Sequence, residues 1–206
     1  MVKYILHYFG VNGRGALPRA ILTYAKADWT NDVIAMPDWP KIKKSGLCEF
    51  EQLPILEVDG KKYSQSNAIN LYLAETFNLM GNNIEENYQI TSLLMTFDDF
   101  MNSCFAYMFC QDESKKEELQ KAALEKVKFF FAKIDKRYTD LGKGKYFLGD
   151  KFTLADIYVA TVFPLAVGAL KIEGCPCKEV GPNLGELIKR IKENELKEFY
   201  EKYFVK

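Results

Sequence analysis

Hydrophobic and polar positions divide the chain into a mixed first part and a helical second part. Residues 3–9 are rich in β-forming side chains and lead into a turn that contains three glycines. Apolar side chains then recur at helical spacing from Leu17 to about Ala25. The pattern predicts a second strand at about 29–34 and another helix that begins at Ser66.

A β-hairpin is predicted between the second strand and the helix at Ser66. Its strands are Ile55–Val58 and Lys62–Tyr63, and Asp59-Gly60 is a strong turn signal between them. The resulting order is a βαβ unit followed by two strands and a helix, which matches a thioredoxin-like layout. We therefore predict an α/β N-terminal thioredoxin-like domain over residues 1–78.

Beyond this domain the pattern is helical almost throughout. Residues 79–84 are predicted to be a linker, because this stretch is rich in asparagine and lacks periodicity. Long helices are predicted at about 85–110 and 115–140, and two shorter amphipathic helices at about 183–203. The segment 85–206 is therefore predicted to be an all-α C-terminal domain.

One helix of this segment is predicted to be buried. The apolar run from Ile157 to Leu170 is shorter than the roughly 18 to 20 residues that a membrane span requires. Thr153 and Asp156 precede it with the spacing of a capping box, although glutamate or glutamine is usual at the second position. We assign this pair a structural role and no chemistry.

The charge balance limits the classes of partner. Lysine plus arginine and aspartate plus glutamate each number 28 in the 206 residues, so the formal net charge is zero. Zero net charge argues against a broad electrostatic surface for nucleic acid or for an anionic membrane. The N-terminal residues also lack the long apolar core of a signal peptide. We expect a cytoplasmic protein that binds neither nucleic acid nor membrane.

The five cysteines form an odd set without a regular framework. In the absence of a signal peptide they are expected to be reduced thiols. Cys175-Pro176-Cys177 invites a metal or redox interpretation, but there is no second cysteine pair and His7 is the only histidine. We interpret this segment as a surface loop and predict no metal site.

Tyr8 is the first candidate for chemistry. It lies at the predicted end of the first strand, directly before the glycine-rich turn. A tyrosine at this position either packs as a strand aromatic or donates a phenolic hydrogen bond to an anion above the turn. The residues of three further segments favour the second interpretation.

These segments together offer a binding surface for an extended acidic peptide. Pro54 directly precedes a strand and is compatible with a cis peptide bond, which would turn the backbone of Leu53 toward a ligand. Gln65-Ser66 opens a helix, whose N-terminal amides favour a carboxylate. Trp39 and Lys43 add a flat apolar surface and a cation.

The sequence resembles the glutathione transferases, and in particular the sigma class, which includes the haematopoietic prostaglandin D synthases. The resemblance spans nearly the whole chain and depends on the order and spacing of its motifs. These are Tyr8-Phe9, Gly13-Arg14, Arg19, Asp38-Trp39-Pro40, Leu53 to Gly60, Gln65-Ser66, Asp98 to Met101 and Leu154-Ala155-Asp156.

The resemblance implies a role for each matching residue, with glutathione as co-substrate and no metal required. Tyr8 would hold and stabilise the glutathione thiolate, and Arg14 would tune its proton affinity. Asp99 would reach the glutathione bound to the other subunit, because the family is dimeric. The other implied glutathione contacts are Trp39, Lys43, Gln52, Leu53, Pro54, Gln65 and Ser66.

The acceptor-substrate pocket is expected between the glycine-rich turn and the long helices of the second domain. Its candidate residues are Phe9, Gly13, Arg14, Met101, Cys104, Tyr107 and Phe204. An apolar wall with one cation suits a hydrophobic electrophile that carries a polar or acidic group. The alternative is that Met101, Cys104 and Phe105 pack in the helical core.

Two departures from the family pattern bear on the substrate. The family's Arg-Gly-Arg-Ala-Glu turn is here Asn12-Gly13-Arg14-Gly15-Ala16, and Tyr107 or Ala106 stands where the prostaglandin D synthases carry a tryptophan. We therefore predict a detoxification enzyme that conjugates hydrophobic electrophiles or reduces hydroperoxides. The alternatives are a glutathione-dependent prostaglandin D isomerase and a non-catalytic relative, either crystallin-like or ligand-binding.

Overall fold

Four strands form one mixed sheet in the order β2–β1–β3–β4. The central β1 (Tyr4–Phe9) pairs in parallel with β2 (Trp29–Ile34) and antiparallel with β3 (Ile55–Val58). Strand β4 (Lys61–Tyr63) pairs antiparallel with β3 and completes the predicted hairpin. This βαβ unit joined to a hairpin confirms the thioredoxin-like prediction. The computed structural model describes residues 2–171 and 181–204.

The compact unit that contains this sheet also contains helices. They are α1 (Ala16–Tyr24), the short α2 (Trp39–Ile42) and α3 (Ser66–Thr76), and α8 (Lys197–Tyr203) comes near the end of the chain. Helix α1 contacts both α3 and α8, and α3 contacts β3. Because side chains alternate along a strand, Tyr4, Leu6 and Tyr8 share one face of β1, and all three are buried.

The remaining helices form a second compact unit. They are α4 (Ile84–Met108), α5 (Glu113–Asp140), α6 (Leu154–Ala169) and α7 (Pro182–Glu193). Helix α4 contacts α5 and α6, and α7 contacts the same two helices. Phe163 of α6 stacks on Phe100 with 5.4 Å between ring centroids and meets Phe131 edge-on at 4.6 Å. Helix α6 is buried along most of its length, as its apolar sequence predicts.

Contacts divide the chain into Met1–Leu79 with Glu195–Lys206, and Met80–Asn194. Residues 195–206 are predicted from the sequence to belong to the helical segment, whereas in the structure the described residues 195–204 group with the sheet. The reason is that α8 packs on α1, a contact between residues far apart in the chain that local periodicity does not encode.

Asp156 joins the start of α6 to the preceding loop. Its Oδ2 accepts hydrogen bonds from the Thr153 main-chain N–H at 2.9 Å and from the Thr153 hydroxyl at 3.1 Å. The Thr153 side chain in turn accepts the Asp156 main-chain N–H, and this reciprocal pair confirms the capping box. Its Oδ1 accepts the Phe147 N–H at 2.7 Å. Burial raises the pKa of this carboxyl to about 6. The residue therefore satisfies donors that have no access to water.

Residues 2–171 and 181–204 include no helix that is both long and apolar enough to cross a membrane. Within the same ranges, no group of three or more histidine, cysteine or acidic side chains is arranged to hold a metal ion. Cys48, Cys104 and Cys110 are free thiols. Cys175 and Cys177 lie outside the described residues.

Candidate active site

Tyr8 lies one residue before the end of β1, and its side chain is only 7% exposed. The chain then turns back over its ring through a short 3-10 turn at Gly13–Gly15. The main-chain N–H of Arg14 donates a hydrogen bond to the Tyr8 hydroxyl oxygen at 2.9 Å. Since this contact uses a lone pair of the oxygen, the O–H proton stays able to donate to another atom.

The raised pKa of the Tyr8 hydroxyl suits a hydrogen-bond donor. Burial raises the pKa of its hydroxyl above the ordinary value near 10, against the lowering effects of the Arg14 and Gly15 N–H groups and of the Arg14 and Arg19 charges. The phenol is therefore protonated at neutral pH. A protonated phenol stabilises a neighbouring thiolate by donating to it, as a charge-assisted hydrogen bond.

Arg19 is a fully buried cation close to the Tyr8 ring. Its Nη1 and Nη2 donate to the Val11 and Phe9 carbonyl oxygens at 2.7 and 2.8 Å, and its Nε donates to Asn31 Oδ1 at 3.0 Å. The guanidinium lies 5.5 Å from the Tyr8 ring centroid. The sequence pattern alone assigns Arg19 no role. A charged residue within the apolar stretch of α1 is the signal that would have found it.

Two glycines make room for the Tyr8 ring. A Cβ atom at Gly13 would lie 2.7 Å from the Tyr8 hydroxyl oxygen, and the φ of +36° there is unfavourable for other residues. A Cβ atom at Gly15 would lie 2.8 and 2.9 Å from two carbons of the ring and closer still to Cδ1. The turn can close on the phenol only because both positions lack a side chain.

Gly15→Ala should therefore displace the Tyr8 ring and lower turnover by about tenfold or more, since small misplacements of a reacting group are costly. Gly10→Ala is the matched control in the same segment, because its Cβ would meet only Val33 Cγ1, at 3.3 Å. Steady-state kinetics and thermal melts of both variants give the comparison. Equal turnover in the two variants would contradict a tight fit of the ring against Gly15.

The start of α3 offers donors to an anion. No side chain caps this helix in the described structure, and Gln65 precedes it with a φ of 70°. Gln65 Nε2 donates to Gln52 Oε1 at 3.3 Å, so these two predicted residues lie together beside Ser66, the first residue of the helix. Uncapped N-terminal amides favour a carboxylate.

Leu53 and Pro54 lie just before β3. The peptide bond between them is cis, as the sequence pattern allowed. The pairing of β1 with β3 ends at His7 and Ile55, so the backbone of Leu53 lies beyond the ladder.

Trp39 is the first residue of the short helix α2, and Lys43 directly follows the helix. The Trp39 ring meets Phe9 edge-on with 5.5 Å between centroids, and Phe9 lies at the same distance from Tyr8. Lys43 Nζ is 3.6 Å from the Glu51 carboxylate, and both side chains are substantially exposed. Exposed pairs of this kind contribute little, so an anionic ligand group can replace Glu51.

The predicted acceptor residues belong to both units. Phe9, Gly13, Arg14 and Phe204 are in the first unit, and Met101, Cys104 and Tyr107 are on α4 in the second. Met101 and Cys104 are fully buried, and burial raises the pKa of the Cys104 thiol to about 11. This favours core packing for these two, and a role in acceptor binding stays a prediction. Asp99 is exposed on α4.

Two family models match the chain. The model "Glutathione S-transferase, N-terminal domain" matches residues 5–75, and "Glutathione S-transferase, C-terminal domain" matches residues 98–203. The chain belongs to the glutathione S-transferase family. It is therefore a transferase, and the resemblance found in the sequence is confirmed.

Proteins similar to this transferase include glutathione S-transferases and hematopoietic prostaglandin D synthases. "Probable glutathione S-transferase 7" of Caenorhabditis elegans is 35% identical over 85% of the chain and 87% of the relative. The human "Hematopoietic prostaglandin D synthase" is 33% identical over 77% of the chain and 76% of the relative. The crystal structure of a monomeric glutathione S-transferase from Necator americanus has a TM-score of 0.83 at 27% identity, covering 97% of this chain and 96% of that one.

Proposed function

We propose that this transferase conjugates glutathione to hydrophobic electrophiles, with Tyr8 as the donor that stabilises the thiolate. The observation that carries the proposal is the 2.9 Å contact in which the Arg14 N–H donates to the Tyr8 hydroxyl oxygen. This contact orients the phenol and leaves its proton for the sulfur. Burial keeps that proton in place by raising the pKa of Tyr8.

The thiol needs this stabilisation because it is mostly protonated at neutral pH. A free cysteine thiol titrates near pH 8.5, so only a few per cent is thiolate at pH 7. Lowering the pKa by about 2 units corresponds to roughly 2.7 kcal/mol of preferential interaction with the anion. The Tyr8 hydrogen bond and the charge of Arg14 are the proposed sources, and the buried Arg19 adds a second positive charge nearby.

The same surface has groups for the rest of glutathione. The uncapped start of α3, with Gln65 and Ser66, suits the γ-glutamyl carboxylate and amine. The backbone of Leu53 lies outside the sheet ladder and suits the cysteinyl main chain. Trp39 and Lys43 suit the glycyl end, while Gln52 and Pro54 support Gln65 and Leu53.

Bound glutathione supplies the nucleophile. Its sulfur forms a bond to the electrophilic carbon, the leaving group departs with its bonding electrons, and the thiol proton passes to solvent. Tyr8 donates to the sulfur before the attack and is not consumed. The site thereby raises the thiolate fraction, which is the reactive form.

A second candidate is glutathione-dependent isomerisation of a prostaglandin endoperoxide. The human relative named hematopoietic prostaglandin D synthase favours it. Against it, Tyr107 or Ala106 stands at the position of the tryptophan expected in such an isomerase. We therefore rank conjugation, with hydroperoxide reduction as a related activity, above isomerisation.

Specificity constants for an activated aryl halide, an organic hydroperoxide and prostaglandin H2 separate these candidates. We expect the aryl halide or the hydroperoxide to give the highest value of kcat/KM. A large preference for the endoperoxide with a D-type product would instead establish the isomerase. No turnover of any of the three would favour a non-catalytic, ligand-binding relative.

We also propose a cytoplasmic homodimer of the sigma class in which Asp99 contacts the glutathione of the partner subunit. The exposure of Asp99 on α4 supports this role. Its neighbour Asp98 points about 100° away on the helix and so cannot serve the same ligand equally. Sedimentation and calorimetry test the proposal: a dimer whose Asp99→Asn variant binds glutathione more weakly is expected. A monomer with full glutathione affinity would overturn it.

A further inference from the structure

We propose that Tyr203, at the end of α8, is a positioning residue that holds Arg19 and the glycine-rich turn against Tyr8. The inference rests on the proposed function of Tyr8 and deepens it. In this role the C-terminal helix α8 contributes to stabilisation of the thiolate.

The first contact fastens the turn itself. Asn12 Nδ2 donates a hydrogen bond to the Tyr203 main-chain carbonyl oxygen at 2.9 Å, across 191 positions of sequence. Asn12 directly precedes the Gly13–Gly15 turn, and Arg14 of that turn donates to the Tyr8 hydroxyl. The end of α8 therefore restrains the segment that orients the phenol.

The second contact fastens the buried cation. The Arg19 guanidinium lies near two rings, 5.5 Å from the Tyr8 centroid and 5.6 Å from the Tyr203 centroid. Its hydrogen bonds go to three neutral oxygens, of Phe9, Val11 and Asn31. Because these acceptors carry no charge, the positive charge acts on any anion that Tyr8 holds.

Contacts of the aromatic ring hold the Tyr203 side chain in place. Its centroid is 6.2 Å from that of Trp29, and Lys202 Nζ lies over both rings at 5.4 and 5.7 Å. Within the described residues the buried Tyr203 hydroxyl has no hydrogen-bond partner. The ring, and not the hydroxyl, therefore does the positioning, and Tyr203→Phe is the conservative variant.

The test compares four variants in the full-length protein. Tyr203→Leu removes the ring, Tyr203→Phe keeps it, and Asn12→Ala removes the bond to the turn. Glu201→Gln alters only an exposed ion pair with Lys197 on the same helix and is the control. The measurement is the dependence of kcat on pH at saturating glutathione. The acid limb of this profile reports the pKa of the glutathione thiol in the bound complex.

We expect the acid limb to move to higher pH in Tyr203→Leu and Asn12→Ala, with an unchanged KM for glutathione. At slightly acidic pH, turnover should fall about two- to tenfold, the size of a partly desolvated cation–π contact. Tyr203→Phe and Glu201→Gln should follow the wild type. Wild-type acid limbs in folded Tyr203→Leu and in Asn12→Ala would overturn the inference.

The test also gives an answer if Tyr203→Leu does not fold or if the wild type is inactive. If Tyr203→Leu does not fold, Asn12→Ala decides alone, because it changes one side chain in a partly exposed turn. If the wild type shows no turnover, the proposed function fails, whereas an active wild type with unshifted variants contradicts only the role of Tyr203.

Discussion

Replacing Tyr8 by phenylalanine should lower kcat at least tenfold while the affinity for glutathione changes little. The change removes the hydroxyl that is proposed to donate to the sulfur, and loss of a single preorganised donor typically costs about 10²- to 10³-fold in kcat. The ring would still fill the space between β1 and the turn, so the rest of the glutathione site would stay intact. Steady-state kinetics with an aryl halide and calorimetry with glutathione measure the two effects.

Tyr4→Phe is the matched control for this experiment. Tyr4 lies on the same strand and the same buried face as Tyr8, but it is at the opposite end of the strand and its ring packs on Phe77. We expect turnover close to that of the wild type. If Tyr8→Phe and Tyr4→Phe behaved alike, Tyr8 would be a strand aromatic and the proposed mechanism would be wrong.

Asp156→Asn should destabilise the helical unit by about 2 to 5 kcal/mol. The new amide group would direct N–H donors at the N–H groups of Phe147 or Thr153, which now donate to the carboxyl at 2.7 and 2.9 Å. A buried donor left without an acceptor costs roughly 1 to 3 kcal/mol, and here two facing donors, the new amide N–H and one main-chain N–H, would both lack an acceptor. Urea unfolding gives the free energies. Asp150→Asn, at an exposed position in the same loop, should stay within about 0.5 kcal/mol of the wild type.

The pH dependence of this difference has a definite sign. Burial raises the pKa of Asp156 to about 6, so the folded chain holds this proton more tightly than the unfolded chain does. The stability that comes from the proton is therefore present below about pH 4 and is lost as the pH rises through about 6. The gap in unfolding free energy between wild type and Asp156→Asn should narrow over this window. A gap that widens with pH would show that the ionised carboxyl is the better acceptor.

Elements that depend on local signals could be predicted from the sequence. The Asp59-Gly60 turn set the hairpin, and the spacing of Thr153 and Asp156 gave the capping box that the structure contains. The alternation of strand and helix patterns up to Ser66 gave the thioredoxin-like order. Each of these signals lies within a few residues of the feature that it predicts.

Features that depend on distant contacts could not be predicted in this way. Arg19 reads as a charged residue in a helix, and its role follows only from the carbonyl groups and rings around it. Asn12 and Tyr203 form a hydrogen bond although 191 positions separate them in the sequence. Gly15 is visible in the sequence as part of a turn, but only the structure shows which ring occupies the space of its missing side chain.

The most direct test of the account is the thiol pKa of bound glutathione, measured from thiolate absorbance against pH for the wild type and Tyr8→Phe. If Tyr8 stabilises the thiolate, the thiol pKa in the wild type should be roughly 2 units below the 8.5 of a free cysteine thiol. In Tyr8→Phe most of that shift should disappear. A bound thiol that titrates near the free value in the wild type, or at the same lowered value in both proteins, would contradict thiolate stabilisation by Tyr8.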